Sequence, residues 1–292
     1  MTKWPQVGQP ARLGWLGLGA IATMAVTLPA QALQVKVTPQ NPKLGDTLRV
    51  VVQYDDPTIS AVPQVMRGAQ TYQTFLTGAN QFRALLPTTP LDKPGVWQIQ
   101  VMGAGQTQVV SVRVGDRKFP TQSIWLSGKG SNGTDHEFDR VDAFKKLVTP
   151  QKFWTGKFLR PNQGPLTSGY GIRRYYNGVF AKDYYHRGID YAGPTGSPVV
   201  APAAGRVALV GRVAQGFKLH GNTIGLDHGQ GVTSIYLHLS RINVKEGDMV
   251  QAGQVIGAVG STGASTGPHL HWGLYVNGLS VDPAPWRDRG FE

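Results

Sequence analysis

Three short histidine-bearing segments between residues 186 and 271 constrain the fold of this chain more than any other feature. They are His186-Arg187-Gly188-Ile189-Asp190, Tyr236-Leu237-His238-Leu239-Ser240 and Gly267-Pro268-His269-Leu270-His271. Side chains alternate between the two faces of a β-strand. We therefore expect His269 and His271 on one face with Leu270 in a core, and we expect Tyr236 and His238 to share a face in the same way. Strands that carry imidazole or carboxylate groups on one face and apolar residues on the other predict a metal site on a rigid β scaffold.

The composition narrows the chemistry of that site. The chain contains no cysteine, so any metal must be held by His, Asp or Glu. A catalytic zinc site needs three protein ligands and one open position, and imidazole nitrogen and carboxylate oxygen both suit it. His186, Asp190 and one of the pair His269 and His271 are expected to supply the ligands. His238 and the remaining histidine of the pair would then be the acid–base groups.

Two other metal chemistries fit the sequence less well. A two-histidine-one-carboxylate iron oxygenase usually carries a His-x-Asp spacing, which differs from His186 and Asp190. His136 stands before Glu137, but no second histidine follows at the spacing of a helical His-Glu-x-x-His metalloprotease. We therefore expect His136 in a solvated loop.

A short helix is predicted just after it, from Asp139 to Leu147, with Val141, Phe144 and Val148 on one face. His220 and His228 are expected to be structural.

The first 32 residues have the pattern of a secretory signal. Lys3 and Arg12 precede an uncharged run from Leu13 to Leu28, and Ala30-Gln31-Ala32 is a small-x-small cleavage site. The run is shorter than the roughly 20 apolar residues of a spanning helix. We therefore predict cleavage after Ala32, no stable membrane span afterwards, and an exported protein that is periplasmic, cell-wall associated or extracellular.

The remaining chain is predicted to be mostly β. Period-two patterns such as Leu48, Val50 and Val52, separated by Pro, Gly and Asp turns, predict an immunoglobulin-like β-sandwich over residues 33–115. Residues 116–155 are more polar and are predicted to be a connector. Short strands and glycines dominate residues 156–292, which are predicted to form the domain that carries the histidines.

Several motifs of the C-terminal half occur together and in a fixed order. They are Gly-Tyr-Gly-Ile-Arg (169–173), His-Arg-Gly-Ile-Asp (186–190), Ala-Pro-Ala-Ala-Gly-Arg-Val (201–207), Gly-Asn-Thr-Ile-Gly-Leu-Asp-His-Gly (221–229), Tyr-Leu-His-Leu-Ser (236–240) and Gly-Ser-Thr-Gly-Ala-Ser-Thr-Gly-Pro-His-Leu-His-Trp (260–272). Through these motifs the chain is similar over residues 156–286 to the lysostaphin/LytM-type zinc metallopeptidases.

The resemblance implies a fold, a cofactor and an activity. The fold would be the family's glycine-rich antiparallel sheet, with one zinc ion held by His186, Asp190 and His271. His238 and His269 would be the catalytic partners, and the substrate would be peptide cross-links or stem peptides of bacterial peptidoglycan. Some relatives have lost ligands and activate other wall hydrolases. A silent or latent wall-binding protein is therefore the alternative, although no ligand position departs from the pattern here.

The net charge and a tyrosine-rich stretch indicate how a substrate would be held. The formal charge is +12. Removing residues 1–32, which hold two basic residues and no acidic one, leaves +10, a balance that favours adhesion to an acidic wall. Nucleic-acid binding would rest on charge alone and is not expected.

Arg173, Tyr176 and Asn177 are candidate substrate contacts, with a solvated surface as the alternative. Tyr236 is a fourth candidate, for which core packing is the alternative.

Overall fold

The computed structural model describes residues 33–125 and 133–291. The predicted signal sequence, residues 1–32, lies outside the described residues. Strand dominates these two ranges, as the sequence predicts. None of the helices in the described part of the chain has the length and apolar character needed to cross a membrane.

Residues 33–114 form two antiparallel sheets packed face to face. One sheet has the strand order β1-β2-β6-β5 and the other has β4-β3-β7-β8. Alternate residues of both sheets share one apolar core, which includes Leu48, Val50, Ile99 and Val101. The predicted sandwich is therefore present in architecture, while its immunoglobulin-like topology stays a prediction. The strands are β1 (Leu33–Thr38), β2 (Thr47–Tyr54), β3 (Gln64–Arg67), β4 (Gln70–Tyr72), β5 (Phe75–Gly78), β6 (Gln81–Pro87), β7 (Gly95–Gly103) and β8 (Gln106–Val114).

The region predicted as a connector contains regular structure. Strand β9 (Thr121–Ile124) is followed by helix α1 (Asp135–Lys145). The predicted helix bounds, 139 to 147, were wrong because Thr134 starts the helix earlier. Its side chain accepts a hydrogen bond from Glu137 N–H, and the Glu137 side chain accepts one from Thr134 N–H, which makes a capping box. His136 therefore lies in the helix and not in a loop.

An antiparallel sheet forms the centre of the C-terminal half. Its strand order is β10-β13-β21-β17-β16-β15-β19, and β22 pairs with β21. Strands β9, β11 and β12 form a side sheet, as do β14, β18 and β20. The strands after α1 are β10 (Leu166–Ser168), β11 (Arg173–Tyr176), β12 (Val179–Phe180), β13 (Ile189–Ala192), β14 (Pro198–Val200), β15 (Gly205–Gly211), β16 (Thr223–Gly229), β17 (Val232–Leu237), β18 (Arg241–Ile242), β19 (Met249–Val250), β20 (Val255–Ala258), β21 (His269–Val276) and β22 (Leu279–Val281). Val213–Gln215 is a 3-10 turn, and helix α2 spans Pro283–Asp288.

The central strands of this sheet are buried on both faces. Every residue of β16 and β17 is buried. One face packs on a large aromatic core that includes Trp154, Trp272 and Trp286. The other face packs on a second cluster, to which α1 contributes Val141 and Phe144. Covering both faces removes the sheet from water, so α1 is part of the fold that supports the histidine-bearing strands.

The sandwich is joined to the C-terminal sheet by shared packing and hydrogen bonds. Leu85 of β6 belongs to the aromatic core of the C-terminal half. Asn277 Nδ2 donates to Leu85 O at 2.7 Å, and Asp282 N–H donates to Gly45 O at 2.8 Å. Arg117 Nη1 pairs with Asp282 Oδ2 at 2.7 Å. The boundaries at residues 115 and 155 remain predictions.

Truncation of Trp286 tests this packing. Its fully buried ring lies 5.3 Å from Phe158 and 4.4 Å from Phe291 between ring centroids, and its Nε1 donates to Thr47 Oγ1 of the sandwich at 3.1 Å. Trp286→Ala is expected to lower the free energy of unfolding by about 3–5 kcal/mol, because it leaves a large cavity. Urea unfolding measures this. Trp125→Ala removes a ring that is 75% exposed and is the control, with a change within about 0.5 kcal/mol expected. Equal losses in both variants would contradict the packing described.

Candidate active site

Antiparallel pairing of β13 and β21 brings two of the predicted ligands together. Asp190 and His271 are register partners across the two strands. Gly188, two residues before Asp190, lies against β21. A Cβ at this position would collide with Trp272 O and would lie 2.7 Å from His271 Nε2. The glycine of the His-Arg-Gly-Ile-Asp motif therefore allows the chain to pass close enough for His186 to reach the same point.

The Gly-Tyr-Gly-Ile-Arg motif fixes the position of His186. Backbone hydrogen bonds join Gly171 N–H to His186 O and His186 N–H to Ile172 O, both at 2.9 Å. The ring Nδ1 of His186 lies 2.7 Å from Gly169 O. A carbonyl oxygen only accepts, so Nδ1 carries the proton and donates it. The Nε2 lone pair of His186 is then directed at Asp190 and His271.

Three donor atoms converge at this point. His186 Nε2 lies 3.1 Å from Asp190 Oδ1 and 3.0 Å from His271 Nδ1, and Asp190 Oδ1 lies 2.9 Å from His271 Nδ1. All three side chains are buried. Tetrahedral ligands about 2.0 Å from a zinc ion are about 3.3 Å apart, close to these separations. The two imidazole nitrogens also face each other, and one carboxylate oxygen serves both. This donor set and its spacing fit Zn²⁺.

Burial and mutual contact control ionisation in this cluster. Burial acts to raise the pKa of Asp190, but its contacts with the His186 and His271 imidazoles outweigh that effect and hold the pKa well below its usual range. Burial lowers the pKa of His271 to about 4, against the opposing effect of Asp190. A carboxylate and a neutral imidazole are the protonation states that bind metal.

His238 and His269 form a second pair beside the donor triangle. Their ring centroids are 4.9 Å apart. His238 Nδ1 donates to Thr262 O and His269 Nδ1 donates to Gly267 O, each at 2.8 Å. The Nε2 atom of each ring is therefore left as a lone-pair acceptor. Burial is the main cause that lowers the pKa of His238 to about 3.

The strand alternation used to place His238 was wrong. Strand β17 ends at Leu237, and His238 adopts a positive φ of 62°. A left-handed conformation is uncommon outside glycine and is often found at functional sites. Hydrogen bonds hold it there, since His238 N–H donates to His220 O at 3.0 Å. The prediction for β21 was correct, because His269 and His271 are two residues apart in one strand and Leu270 is in the core.

The four candidate substrate contacts have two different environments. Arg173 and Tyr176 are half-buried in β11, and Asn177 is exposed in the turn to β12 at a φ of 49°. Tyr236, by contrast, is fully buried in the core, and its hydroxyl shares a hydrogen bond with Ser234 Oγ at 2.6 Å. Burial raises its pKa far above the usual range. The expectation that Tyr236 contacts substrate is therefore corrected, because this side chain presents no surface to a ligand.

His228 has a structural environment, as predicted. It is fully buried in β16, where its Nδ1 donates to Ala204 O and its Nε2 accepts from Ser234 Oγ, both at 2.8 Å. Burial lowers its pKa to about 4. These partners satisfy both ring nitrogens of His228, so it contributes to the sheet and not to the donor triangle.

Sequence reasoning missed the part played by Glu137. This fully buried carboxylate of α1 accepts backbone hydrogen bonds from Lys218 at 3.1 Å, Leu219 at 3.1 Å and His220 at 2.6 Å. Its Oε1 also lies 2.7 Å from His220 Nδ1. We call these hydrogen bonds from residues 218–220 to the Glu137 carboxylate the Glu137 clamp. His220 O accepts a hydrogen bond from His238 N–H, so the clamp also supports the backbone at His238. The sequence does contain a signal for the start of this helix, because Thr134-x-x-Glu137 is a capping-box sequence.

The clamp lowers the pKa of the Glu137 carboxyl. Burial acts to raise that pKa, but the His220 side chain and the backbone N–H groups of His220 and Leu219 outweigh it and bring the pKa to about 2. The carboxylate is therefore ionised in the folded protein at every pH at which the protein would ordinarily be handled.

Comparison with known proteins identifies relatives of the C-terminal half. The family model described as Peptidase family M23 matches residues 184–283. A DD-carboxypeptidase/endopeptidase named Mpg from Neisseria meningitidis serogroup B is 48% identical over 98 residues, which are 34% of this chain and 22% of that protein. Lysostaphin from Staphylococcus simulans is 43% identical over 123 residues, which are 40% of this chain and 24% of that protein. The chain thus spans about a quarter or less of the length of these curated relatives.

One solved structure extends the likeness to most of the chain. The crystal structure of a candidate M23 peptidase from Pseudomonas aeruginosa has a TM-score of 0.64 and 28% identity, and it covers 86% of this chain and 96% of that one. The likeness therefore takes in residues well outside 184–283. The overall fold, and not the C-terminal sheet alone, has a counterpart.

Replacement of Glu137 tests the clamp through its pH dependence. The pKa of Glu137 falls from a model-compound value of 4.5 to about 2 on folding, so its contribution to stability is full above about pH 4.5 and is lost as the pH falls towards 2. Glu137→Gln is expected to lower the free energy of unfolding by about 3 kcal/mol at pH 7, with the deficit shrinking between pH 5 and pH 2. Urea unfolding at several pH values measures both effects.

The matched control is Asp139→Asn, which removes an exposed carboxylate from the same helix. It is expected to change stability by no more than about 0.5 kcal/mol at any of these pH values. A Glu137→Gln deficit that stays constant from pH 7 to pH 2 would contradict an ionised clamp.

Proposed function

We propose that the protein is a zinc metalloendopeptidase that hydrolyses peptide bonds of bacterial peptidoglycan, and the premise is the match of residues 184–283 to the model of peptidase family M23. The observation that carries the proposal is the pre-formed triangle of His186 Nε2, Asp190 Oδ1 and His271 Nδ1, with donor separations of 2.9–3.1 Å. Two further histidines lie beside it with open Nε2 atoms. A structural metal site would not need this second pair.

The donor triangle would hold one zinc ion. His186, Asp190 and His271 present one ligand atom each, and the carbonyl of Gly169 fixes the tautomer of His186. A zinc ion bound by three protein groups supplies a Lewis acid, which polarises a carbonyl oxygen and makes water more acidic. Asp190 and His271 lie on two paired strands, and His186 lies on the segment just before β13, where backbone hydrogen bonds hold it, so the ligands are in place before the metal binds.

His238 and His269 would manage protons and the developing oxyanion. Each ring is anchored through Nδ1–H on a backbone carbonyl, so each Nε2 can accept a proton at a fixed position. The Nε2 atom of His238 carries a lone pair, which suits a group that takes a proton from the attacking water. Once protonated, the same Nε2–H can donate to the tetrahedral oxyanion or to the leaving amine.

The substrate assignment comes from the relatives and from charge. The matched relatives are named as a DD-carboxypeptidase/endopeptidase and as lysostaphin. A positively charged exported chain would adhere to an acidic wall polymer. Arg173, Tyr176 and Asn177, on the β11–β12 hairpin, would contact the substrate. Export through the predicted signal sequence, and a periplasmic or extracellular location, belong to the same proposal.

Digestion of purified peptidoglycan tests the activity. The zinc-loaded protein is expected to release new peptide-cleaved fragments, whose masses identify the bond, and a chelator is expected to stop the release because the three ligands then hold no metal. Liquid chromatography with mass spectrometry detects the products. Restoring zinc after chelation is the control. Tight sedimentation with peptidoglycan but no release of fragments would instead favour the wall-binding alternative.

Separate variants distinguish metal ligands from proton-transfer groups. His271→Ala is expected to lose both zinc and activity, whereas His269→Ala and His238→Ala are expected to keep zinc and to lose activity by about 100-fold or more. Metal analysis of the purified variants, together with rates on the same substrate, measures the two quantities. The control is His136→Ala, an exposed histidine on α1, which is expected to keep both. Equal zinc loss in the His271 and His269 variants would overturn the assignment of roles.

A further inference from the structure

An apolar cavity lies beside the start of β10 and the end of β13. It has a volume of about 570 Å³, which is within the range of small-ligand sites. None of its lining residues in the described part of the chain is charged, and five of them are prolines. We therefore call it the proline cavity. The five prolines are Pro161, Pro165, Pro194, Pro198 and Pro268.

Strand register connects the proline cavity to the candidate active site. Ala192, which lines the cavity, pairs with His269 across β13 and β21. Asp190 pairs with His271 in the same register. Residues two apart in a strand share a face, and directly paired residues have Cβ atoms about 5 Å apart. Ala192 therefore lies on the face of the donor triangle, next to His269. Pro268, the residue before His269, is part of the cavity wall, so the cavity continues the candidate site.

Hydrogen bonds within the cavity wall satisfy several of its polar groups. Asn162 is buried, its Nδ2 donates to Pro198 O at 2.9 Å, and its Oδ1 accepts from Gly164 N–H at 2.9 Å. Ala192 N–H donates to Pro165 O, also at 2.9 Å. Because these groups already have partners, the wall offers mainly apolar surface to a ligand and little that could replace the hydration of a charge.

Close packing and proline rings hold the cavity open in one shape. A Cβ on Gly164 would collide with Ala192 O, so the segment before β10 passes in contact with the end of β13. Arg160, which does not line the cavity, donates from Nε to Asn162 O at 2.8 Å and fixes the same segment. Proline locks φ near −65°, which restricts both segments further. A pre-formed cavity lowers the ordering cost of binding a ligand.

An extended peptide bound at the donor triangle would reach the proline cavity. Ala192 is two residues beyond Asp190, and an extended chain rises about 3.3 Å per residue. A peptide whose scissile carbonyl lies at the donor triangle would therefore place a side chain about one to three residues away beside the cavity. An aliphatic side chain would leave water there for apolar surface, which is favourable. An ionised side chain would lose its hydration without gaining a partner.

We propose that the proline cavity is a subsite for an uncharged aliphatic residue of the peptide substrate, close to the bond that is cut. The inference rests on the proposed function, because that function brings a peptide to the donor triangle. It adds the class of side chain that the site selects. Alanine and larger aliphatic residues fit the cavity, whereas residues with an ionised side chain, such as glutamate, lysine or diaminopimelate, are disfavoured at this position.

Titration by nitrogen-15 NMR of the purified protein measures binding without cleavage. The probes are the N-acetyl N-methylamides of leucine, lysine and glutamate, which present one side chain and link no two amino acids. The leucine probe is expected to shift the backbone amide signals of Ala192 and Val200 in a saturable manner, because both residues line the cavity. The two charged probes are expected to bind about tenfold more weakly or less. No saturable shift with leucine, equal affinities for all three probes, or tighter binding of N-acetylglucosamine at these signals would overturn the proposal.

Charge substitutions at the cavity rim locate the binding. Gln163 is exposed and lines the cavity. Gln163→Glu is expected to favour the lysine probe and Gln163→Lys the glutamate probe. The ratio of the two affinities is therefore expected to differ by about tenfold between these variants, because opposite charges attract at the rim. The same two substitutions at Gln251, which is exposed and does not line the cavity, are the control, with a difference of less than about twofold expected. Equal effects at the two positions would contradict binding in the cavity.

Cleavage rates on matched peptides separate this proposal from the proposed function. The peptides differ by one alanine-to-glutamate replacement at successive positions on either side of the scissile bond. At one position the replacement is expected to lower kcat/KM about tenfold or more, and Gln163→Lys, but not Gln251→Lys, is expected to recover part of that loss. Binding of the leucine probe without cleavage of any peptide or of peptidoglycan would remove the proposed function and leave an aliphatic binding site. Cleavage that tolerates glutamate equally at every position would remove the subsite and leave the proposed function.

Discussion

The antiparallel pairing of β13 with β21 is the constraint on which the rest of this structure depends. It places Asp190 directly opposite His271 and leaves His186 within reach of both. Two imidazoles and a carboxylate so close together would be costly to bury without a shared proton or a cation. The surrounding structure therefore has to hold them rigidly. Gly188 permits the close approach, and the loop of Gly169 and Gly171 fixes the ring of His186.

Support for the candidate site comes from parts of the chain that contribute no side chain to the donor triangle or to the His238–His269 pair. Helix α1 covers one face of the central sheet with Val141 and Phe144, and its Glu137 clamps residues 218–220. That clamp reaches His238 through a single backbone hydrogen bond from its amide to His220 O. His238 has a positive φ, which a strand could not impose, so the stabilisation has to come from outside β17. The region between the sandwich and the C-terminal sheet, which contains α1, is therefore part of the scaffold of the candidate site.

The sequence predicted those features that depend on local periodicity or on complete motifs. Alternation in Leu48, Val50 and Val52 predicted a sandwich strand, and His-Leu-His predicted a shared face for His269 and His271. Prediction failed where a nonlocal contact overrides the local pattern. Tyr236 alternates correctly in sequence, yet the aromatic core of the C-terminal half buries its side chain, and alternation carries no information about what covers a face. The role of Glu137 was hidden for the same reason, because its partners are about 80 residues away.

Contacts between residues far apart in sequence also join the sandwich to the C-terminal half. Arg83 is on the outer face of a sheet whose other side is apolar, where a solvated cation would be expected, but Gln230 and Trp154 of the C-terminal half enclose it. Enclosing a guanidinium costs desolvation free energy that an apolar residue would avoid. Leu85, two residues further along β6, shows that the junction accepts apolar packing, since it enters the aromatic core. The guanidinium at position 83 therefore gives the junction a directed polar contact with Gln230, which apolar packing by residues such as Leu85 does not supply.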